Sequence, residues 1–67
     1  MIKVFINGKE CELAKNSYLS ELIQRFNLDA RKTVVQVNES IVDRDVYHNY
    51  QINDRDRIEL IKFMAGG

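Results

Sequence analysis

Ile2-Lys3-Val4-Phe5-Ile6-Asn7-Gly8-Lys9-Glu10-Cys11-Glu12-Leu13 reads as two short alternating runs joined by Asn-Gly, the strongest two-residue hairpin signal a sequence carries. Ile2, Val4 and Ile6 fall on one face of the first run. In the second run Cys11 and Leu13 take the face that Glu10 and Glu12 avoid, because side chains alternate along a strand. A β-hairpin over Ile2 to Leu13 is therefore predicted. Directly after it the period changes: Leu19, Leu22, Ile23 and Phe26 are spaced i, i+3, i+4, i+7, the stripe of an amphipathic helix laid on a sheet. The helix is placed at about Tyr18 to Phe26. Ser17 is its expected N-cap, with Asn27 left-handed at the C-terminal end and Leu28 folding back on the last turn.

Beyond the helix, Thr33 to Val37 is rich in β-branched residues, Ile41-Val42 is a short strand candidate, and Arg57 to Phe63 reads as a final strand. The stretch Asp43 to Asp56 reads as loop with at most one helical turn. The predicted order is hairpin, helix, strand, short strand, long loop, strand. That order belongs to the α+β class, with one helix over one face of a mixed sheet of four to five strands and the first and last strands side by side. The compact solution at this length is a β-grasp, in which the sheet curls around the helix. Residues 1–62 are expected to form its single domain and 63–67 a flexible C-terminal tail.

Composition narrows the function. The 67 residues carry ten basic and ten acidic side chains, with 45% hydrophobic residues, a foldable and near-neutral balance. No cationic excess is available to displace counterions from a phosphate backbone, so nucleic-acid binding is disfavoured. A domain this small buries only about 60% of its unfolded surface and has no room for a deep active-site cleft. One cysteine, Cys11, and one histidine, His48, supply neither an internal disulfide nor a zinc site. Apolar runs reach three residues, as in Val4-Phe5-Ile6, where a membrane span needs about 20, and no signal-peptide core is visible at the N-terminus. A cytoplasmic monomer with no bound metal or cofactor is expected.

Two of the three glycines are the last two residues of Ile61-Lys62-Phe63-Met64-Ala65-Gly66-Gly67. Without Cβ atoms such an end is thin, and four residues beyond the last strand reach about 14 Å at about 3.5 Å each. Met64, Ala65 and Gly66 could thread a narrow partner active site and deliver the α-carboxylate of Gly67. That carboxylate has a reference pKa of about 3.3–3.7 and is inert to nucleophiles at neutral pH, so it needs activation. An acyl-adenylate made with ATP supplies the leaving group, and a persulfide sulfur can then replace it to leave a thiocarboxylate. The plain alternative for a Gly-Gly end is a frayed terminus.

The sequence as a whole resembles the ThiS family, small ubiquitin-like β-grasp sulfur carriers of thiamine (thiazole) biosynthesis. The resemblance is carried by Ile2 to Gly8, Leu19-Ser20-Glu21-Leu22-Ile23, Val35-Gln36-Val37-Asn38, Ile41-Val42-Asp43-Arg44, Tyr47-His48, Asp54 through Ile61, and Ala65-Gly66-Gly67. It implies that an E1-like adenylyltransferase of the ThiF type, using ATP, adenylates Gly67. A persulfide donor such as a cysteine desulfurase would then provide sulfur, and a thiazole synthase of the ThiG type would draw it from the Gly67 thiocarboxylate. The chain would be a protein co-substrate with no catalytic residue and no bound cofactor. Related alternatives are the small subunit of molybdopterin synthase, a ubiquitin-like protein modifier that forms isopeptide bonds from Gly67, and a plain interaction module that pairs through its sheet.

The remaining chemistry-bearing residues read as structural. Cys11 is expected as a small core hydrophobe, His48 as a loop residue without an acid-base partner, and Asp54-Arg55-Asp56-Arg57 as a solvated turn. Arg44 is expected to tie the long loop to the sheet. With Val4, Ile6, Ile58 and Leu60 pointing inward, alternation exposes Phe5, Ile61 and Phe63 on the other face, where adjacent first and last strands would bring them together as a partner-docking patch rimmed by Lys3 and Lys62.

Overall fold

The computed structural model describes residues 1–62. Five strands and one α-helix appear among them: β1 (Ile2–Ile6), β2 (Lys9–Leu13), α1 (Leu19–Arg25), β3 (Thr33–Val37), β4 (Ser40–Val42) and β5 (Arg57–Lys62). Two short 3-10 turns, Ala30–Lys32 and Arg44–Val46, complete the elements. The sheet order is β2-β1-β5-β3-β4. β1 and β5 run parallel and the other neighbours antiparallel, so the last strand lies in the middle of the sheet between β1 and β3. This is the α+β, β-grasp arrangement expected from the sequence.

The Asn7-Gly8 turn explains the hairpin. Its residues have φ of 51° and 83°, the pair of positive values that a two-residue turn needs to match strand twist. Ile6 and Lys9 close it, and the register runs back to Ile2 opposite Leu13. A second two-residue turn, Asn38-Glu39, joins β3 to β4 with φ of 51° and 74°, although neither residue is a glycine.

The helix ends differ from expectation at one side. The N-cap is Tyr18, whose N–H donates to the Glu21 carboxylate at 3.0 Å. Ser17 instead donates its hydroxyl back to the Ala14 carbonyl at 2.6 Å, while its own carbonyl accepts the Ile52 N–H at 2.8 Å. The chain entering from β2 and the strap at Ile52 fix Ser17 outside the helix. At the other end Asn27 is left-handed at φ 57°, its N–H donates to the Gln24 carbonyl, and the Leu28 N–H reaches the Ile23 carbonyl at 3.0 Å. This closure matches the sequence expectation, and it takes Phe26 off the helical path. Phe26 is consequently 42% exposed rather than part of the buried stripe, and Leu28 packs on the core in its place.

Leu19, Leu22 and Ile23 of α1 pack on Val4, Ile6, Val35, Val37, Ile58 and Leu60 from the sheet. The long loop adds two residues that its polar composition hides. Ile52 is 2% exposed, and Tyr47 is buried with its hydroxyl donating to the Thr33 carbonyl at 3.1 Å. The single helical turn expected in the loop is Arg44–Val46, started by the Asp43 carboxylate accepting the Asp45 N–H.

Candidate functional site

Gly67, Gly66, Ala65, Met64 and Phe63 lie outside the described residues, so the site is built here from the strand that leads to them. β5 carries Ile58 and Leu60 into the core and is held along both edges. On the β3 side the pairing is complete from Val37 opposite Ile58 to Thr33 opposite Lys62. On the β1 side the backbone register covers only Phe5 opposite Arg57 and Ile6 opposite Ile58. Beyond that pair the Asn7 N–H donates to the Ile58 carbonyl at 2.9 Å, and the Asn7 side-chain oxygen accepts the Leu60 N–H, also at 2.9 Å.

The start of β5 is pinned by a polar cluster. Asp56 is 6% exposed, and its carboxylate accepts from the Asn38 side-chain amide at 3.0 Å and from the Asn53 N–H at 2.8 Å. Asn38 also accepts the Arg57 N–H and donates its own N–H to the Arg57 carbonyl. The neighbouring turn is tied to β1, since the Lys3 N–H donates to the Asp54 carboxylate at 2.8 Å and the Arg55 N–H to the Lys3 carbonyl. The charged run expected as a solvated turn is thus only partly so: Asp54, Arg55 and Arg57 are exposed, but Asp56 is structural. Alternation could have revealed it, because Asp56 shares the inward parity of Ile58 and Leu60.

Phe5 and Ile61 occupy the same outer face but do not meet. Phe5 sits opposite Arg57, and Ile61 is four residues farther along β5, about 13 Å at 3.3 Å per residue, opposite Val34 of β3. Parallel pairing is the cause, since β1 turns away at Asn7 before reaching the level of Ile61. Toward the end of β5 the outer face carries Ile61, 44% exposed, beside the half-buried Val34, while Ile41, 70% exposed on β4, pairs with Gln36 at the level of Glu59. Lys3 does lie on the outer face, 3.6 Å from the Glu10 carboxylate. Lys62 has the parity of Leu60 and so belongs to the opposite face, which removes it from the expected rim.

Cys11 is half-buried, pairs with Val4 and packs against the core, as expected. His48 is exposed in the long loop. Arg44 is exposed too and forms no ion pair or side-chain hydrogen bond among the described residues, so the loop is tied down by Tyr47 and Ile52 instead. Among the described residues no three His, Cys, Asp or Glu side chains are grouped to hold a metal ion. No described helix is long and apolar enough to cross a membrane.

The ThiS family model matches residues 4–67, through the closing Gly66-Gly67. The chain is 30% identical to the sulfur carrier protein ThiS of Bacillus subtilis over 63 residues, 92% of this chain and 96% of that one. It is 32% identical over 66 residues, 98% of its length, to the thiazole synthase of Paramagnetospirillum magneticum, but spans only 20% of that protein. The crystal structure of the thiamine biosynthesis protein ThiS from Geobacter metallireducens superposes with a TM-score of 0.83 at 25% identity, covering 98% of this chain and 100% of that one.

Proposed function

We propose that this chain, which belongs to the ThiS family, is a sulfur carrier of thiamine biosynthesis whose working group is the Gly67 carboxylate. An E1-like adenylyltransferase binds the carrier with ATP, and a carboxylate oxygen of Gly67 attacks the α-phosphorus. Pyrophosphate leaves and a mixed anhydride remains. A persulfide sulfur then attacks the Gly67 carbonyl carbon and AMP departs with the C–O bond electrons. A thiol cleaves the resulting acyl disulfide at its S–S bond, leaving the thiocarboxylate on Gly67 and a disulfide on the donor side. A thiazole synthase receives the sulfur, and hydrolysis or transfer regenerates the carboxylate.

The single observation that carries this reading is the family match running unbroken to Gly67. Two further facts support it. β5, the strand that leads to the glycine pair, is anchored at its start by Asn38 and Asp56 and along both edges, which gives the end a fixed origin. A segment matching 98% of this chain also makes up 20% of a thiazole synthase, so a carrier-like segment and that enzyme occur in one polypeptide. The chain's own residues contribute presentation only; activation, nucleophile supply and sulfur acceptance belong to partner enzymes.

Intact mass spectrometry of the chain incubated with ATP, its activating enzyme and a persulfide source tests the proposal. A gain of about 16 Da, sulfur in place of one oxygen, that vanishes when Gly67 is deleted is the expected result. Stable higher-mass conjugates to lysines of other proteins would instead identify a protein modifier. An unchanged mass with unimpaired partner binding after loss of Gly66 and Gly67 would identify an interaction module.

A further inference from the structure

Parallel strands exchange a regular slanted ladder of bonds, and β1 and β5 follow it only so far. The Phe5 N–H donates to the Asp56 carbonyl and the Asn7 N–H to the Ile58 carbonyl, each at 2.9 Å. The next rung of such a ladder would run from the Leu60 N–H to the backbone carbonyl of residue 7. Asn7, however, is left-handed at φ 51° because it opens the hairpin turn, and its backbone has left the strand. Its side-chain oxygen takes over, accepting the Leu60 N–H at 2.9 Å across 53 residues of sequence. One asparagine therefore does two jobs: it supplies the positive φ that closes the hairpin, and it extends the ladder by one rung on the strand that leads to the working end.

This rung falls where β5 has no other support on that side. The β3 edge continues to Thr33 and Lys62, but the β1 register stops at Ile6 and Ile58. Leu60 itself is largely buried and seven residues short of Gly67, within about 25 Å of fully extended chain. A strand held on both edges at Leu60 leaves the sheet in one direction; a strand held on one edge can splay.

We propose, resting on the sulfur-carrier reading above, that Asn7 is a positioning residue for that reaction: its side-chain carbonyl fixes Leu60 and thereby the point and direction from which Gly67 is presented to partner enzymes. Loss of this tether frees β5 from β1 at Leu60 and so loosens the strand from which Gly67 is presented. The partner's grip restores the reacting geometry once the end is seated, so the loss falls on KM rather than on kcat.

The test uses the full chain with its activating enzyme and three variants. Asn7→Gly keeps the left-handed turn and removes the acceptor; Asn7→Asp keeps both. Ile52→Val is a core truncation in the long loop that lowers stability while leaving every backbone hydrogen bond of β5 in place. Amide exchange at Leu60 should speed by about tenfold or more in Asn7→Gly and stay near wild type in Asn7→Asp. In steady-state adenylation with carrier as the varied substrate, Asn7→Gly should raise KM about fivefold or more with kcat within about twofold, Asn7→Asp should restore KM, and Ile52→Val should leave it unchanged. A wild-type chain that acquires sulfur while Asn7→Gly shows an unchanged KM overturns the positioning role alone. So does a KM rise that Ile52→Val reproduces at equal stability. A wild-type chain that acquires no sulfur overturns the functional reading and the positioning role together.

Discussion

The side-chain amide of Asn38 donates to the buried carboxylate of Asp56 at 3.0 Å, joining the β3–β4 turn to the residue just before the strand that leads to Gly67. Both partners have further bonds: the Asn38 side-chain oxygen accepts the Arg57 N–H while its backbone N–H donates to the Arg57 carbonyl, and Asp56 also accepts the Asn53 N–H. Replacing Asp56 with alanine strands the Asn38 amide and the Asn53 N–H at the edge of the core. The expected cost is about 1–2 kcal/mol, because the carboxylate is buried but its donors are only part-buried and water can reach them once it is gone. Urea unfolding should show a lower midpoint with an unchanged slope, because the surface exposed on unfolding stays the same. A loss under about 0.5 kcal/mol would mean that water replaces the carboxylate and that the cluster is incidental.

Glu39 is held at φ 74° beside Asn38 at 51°, and only the asparagine is a residue type that tolerates this region well. Relieving a left-handed glutamate is worth about 1–2 kcal/mol, against about 0.5–1 kcal/mol of added chain entropy in the unfolded glycine variant. Glu39→Gly should therefore stabilise by up to about 1 kcal/mol and raise Tm by about 4 °C in a domain of this size. A lower melting temperature would show that the Glu39 side chain contributes more than its backbone strain costs.

How far these features were legible in the sequence depends on whether their cause is local. Asn7-Gly8 demands positive φ at both positions, and Asn27-Leu28 spells a helix closure, so both turns could be read directly. The Ser17 hydroxyl could not, because its choice between the helix and the Ala14 carbonyl depends on a strap at Ile52 far along the chain. Phe26 fits the helical period, yet the closure one residue later removes it from the helix. The register of β1 on β5 is likewise nonlocal: alternation gave Phe5 and Ile61 the correct face, but only the stopping point of β1 decides that they lie four residues apart. The two asparagine clamps were hidden because a side chain standing in for backbone leaves no periodic trace.

Asp29 gives a pH signature. Its carboxylate accepts the Arg31 N–H at 2.9 Å, and that bond, aided by the charges of Arg31 and Lys32, holds its carboxyl below the ordinary 3.8. A folded value below the unfolded one means that the contribution is complete above about pH 3.8 and fades as pH falls through the folded value. An NMR titration should place the Asp29 midpoint below 3.8, and the stability gap between wild type and Asp29→Ala should narrow only in that acid range. The shift should shrink at high salt by the share due to Arg31 and Lys32 charge, whereas the part due to the N–H should persist. A midpoint at or above 3.8 would show that the carboxylate is not engaged with the turn in solution.

The separation of Phe5 from Ile61 makes the outer face testable in two halves. Ile61, 44% exposed, lies beside Val34 toward the end of β5, and Ile41, 70% exposed, lies on β4 at the level of Glu59, whereas Phe5 lies beside Arg57 near the start. A partner that takes the end of the chain must cover the nearer half first. Ile41→Asp removes little buried area and should change folding stability by no more than about 0.5 kcal/mol, whereas Ile61→Asp, on the middle strand and more than half covered, should cost about 1 kcal/mol. Against partner enzymes each should weaken productive binding by about 1–2 kcal/mol, about five- to thirtyfold in KM, through loss of apolar contact and burial of a new charge. Phe5→Ser should have a smaller effect, because its site is about 13 Å away along the strand. Measuring KM for the three variants with the activating enzyme and with the synthase decides the matter. Equal losses from Phe5 and Ile61 would require a partner surface spanning the full length of β5, and no loss from Ile61 would remove the sheet face from the interface and leave recognition to the terminal residues alone.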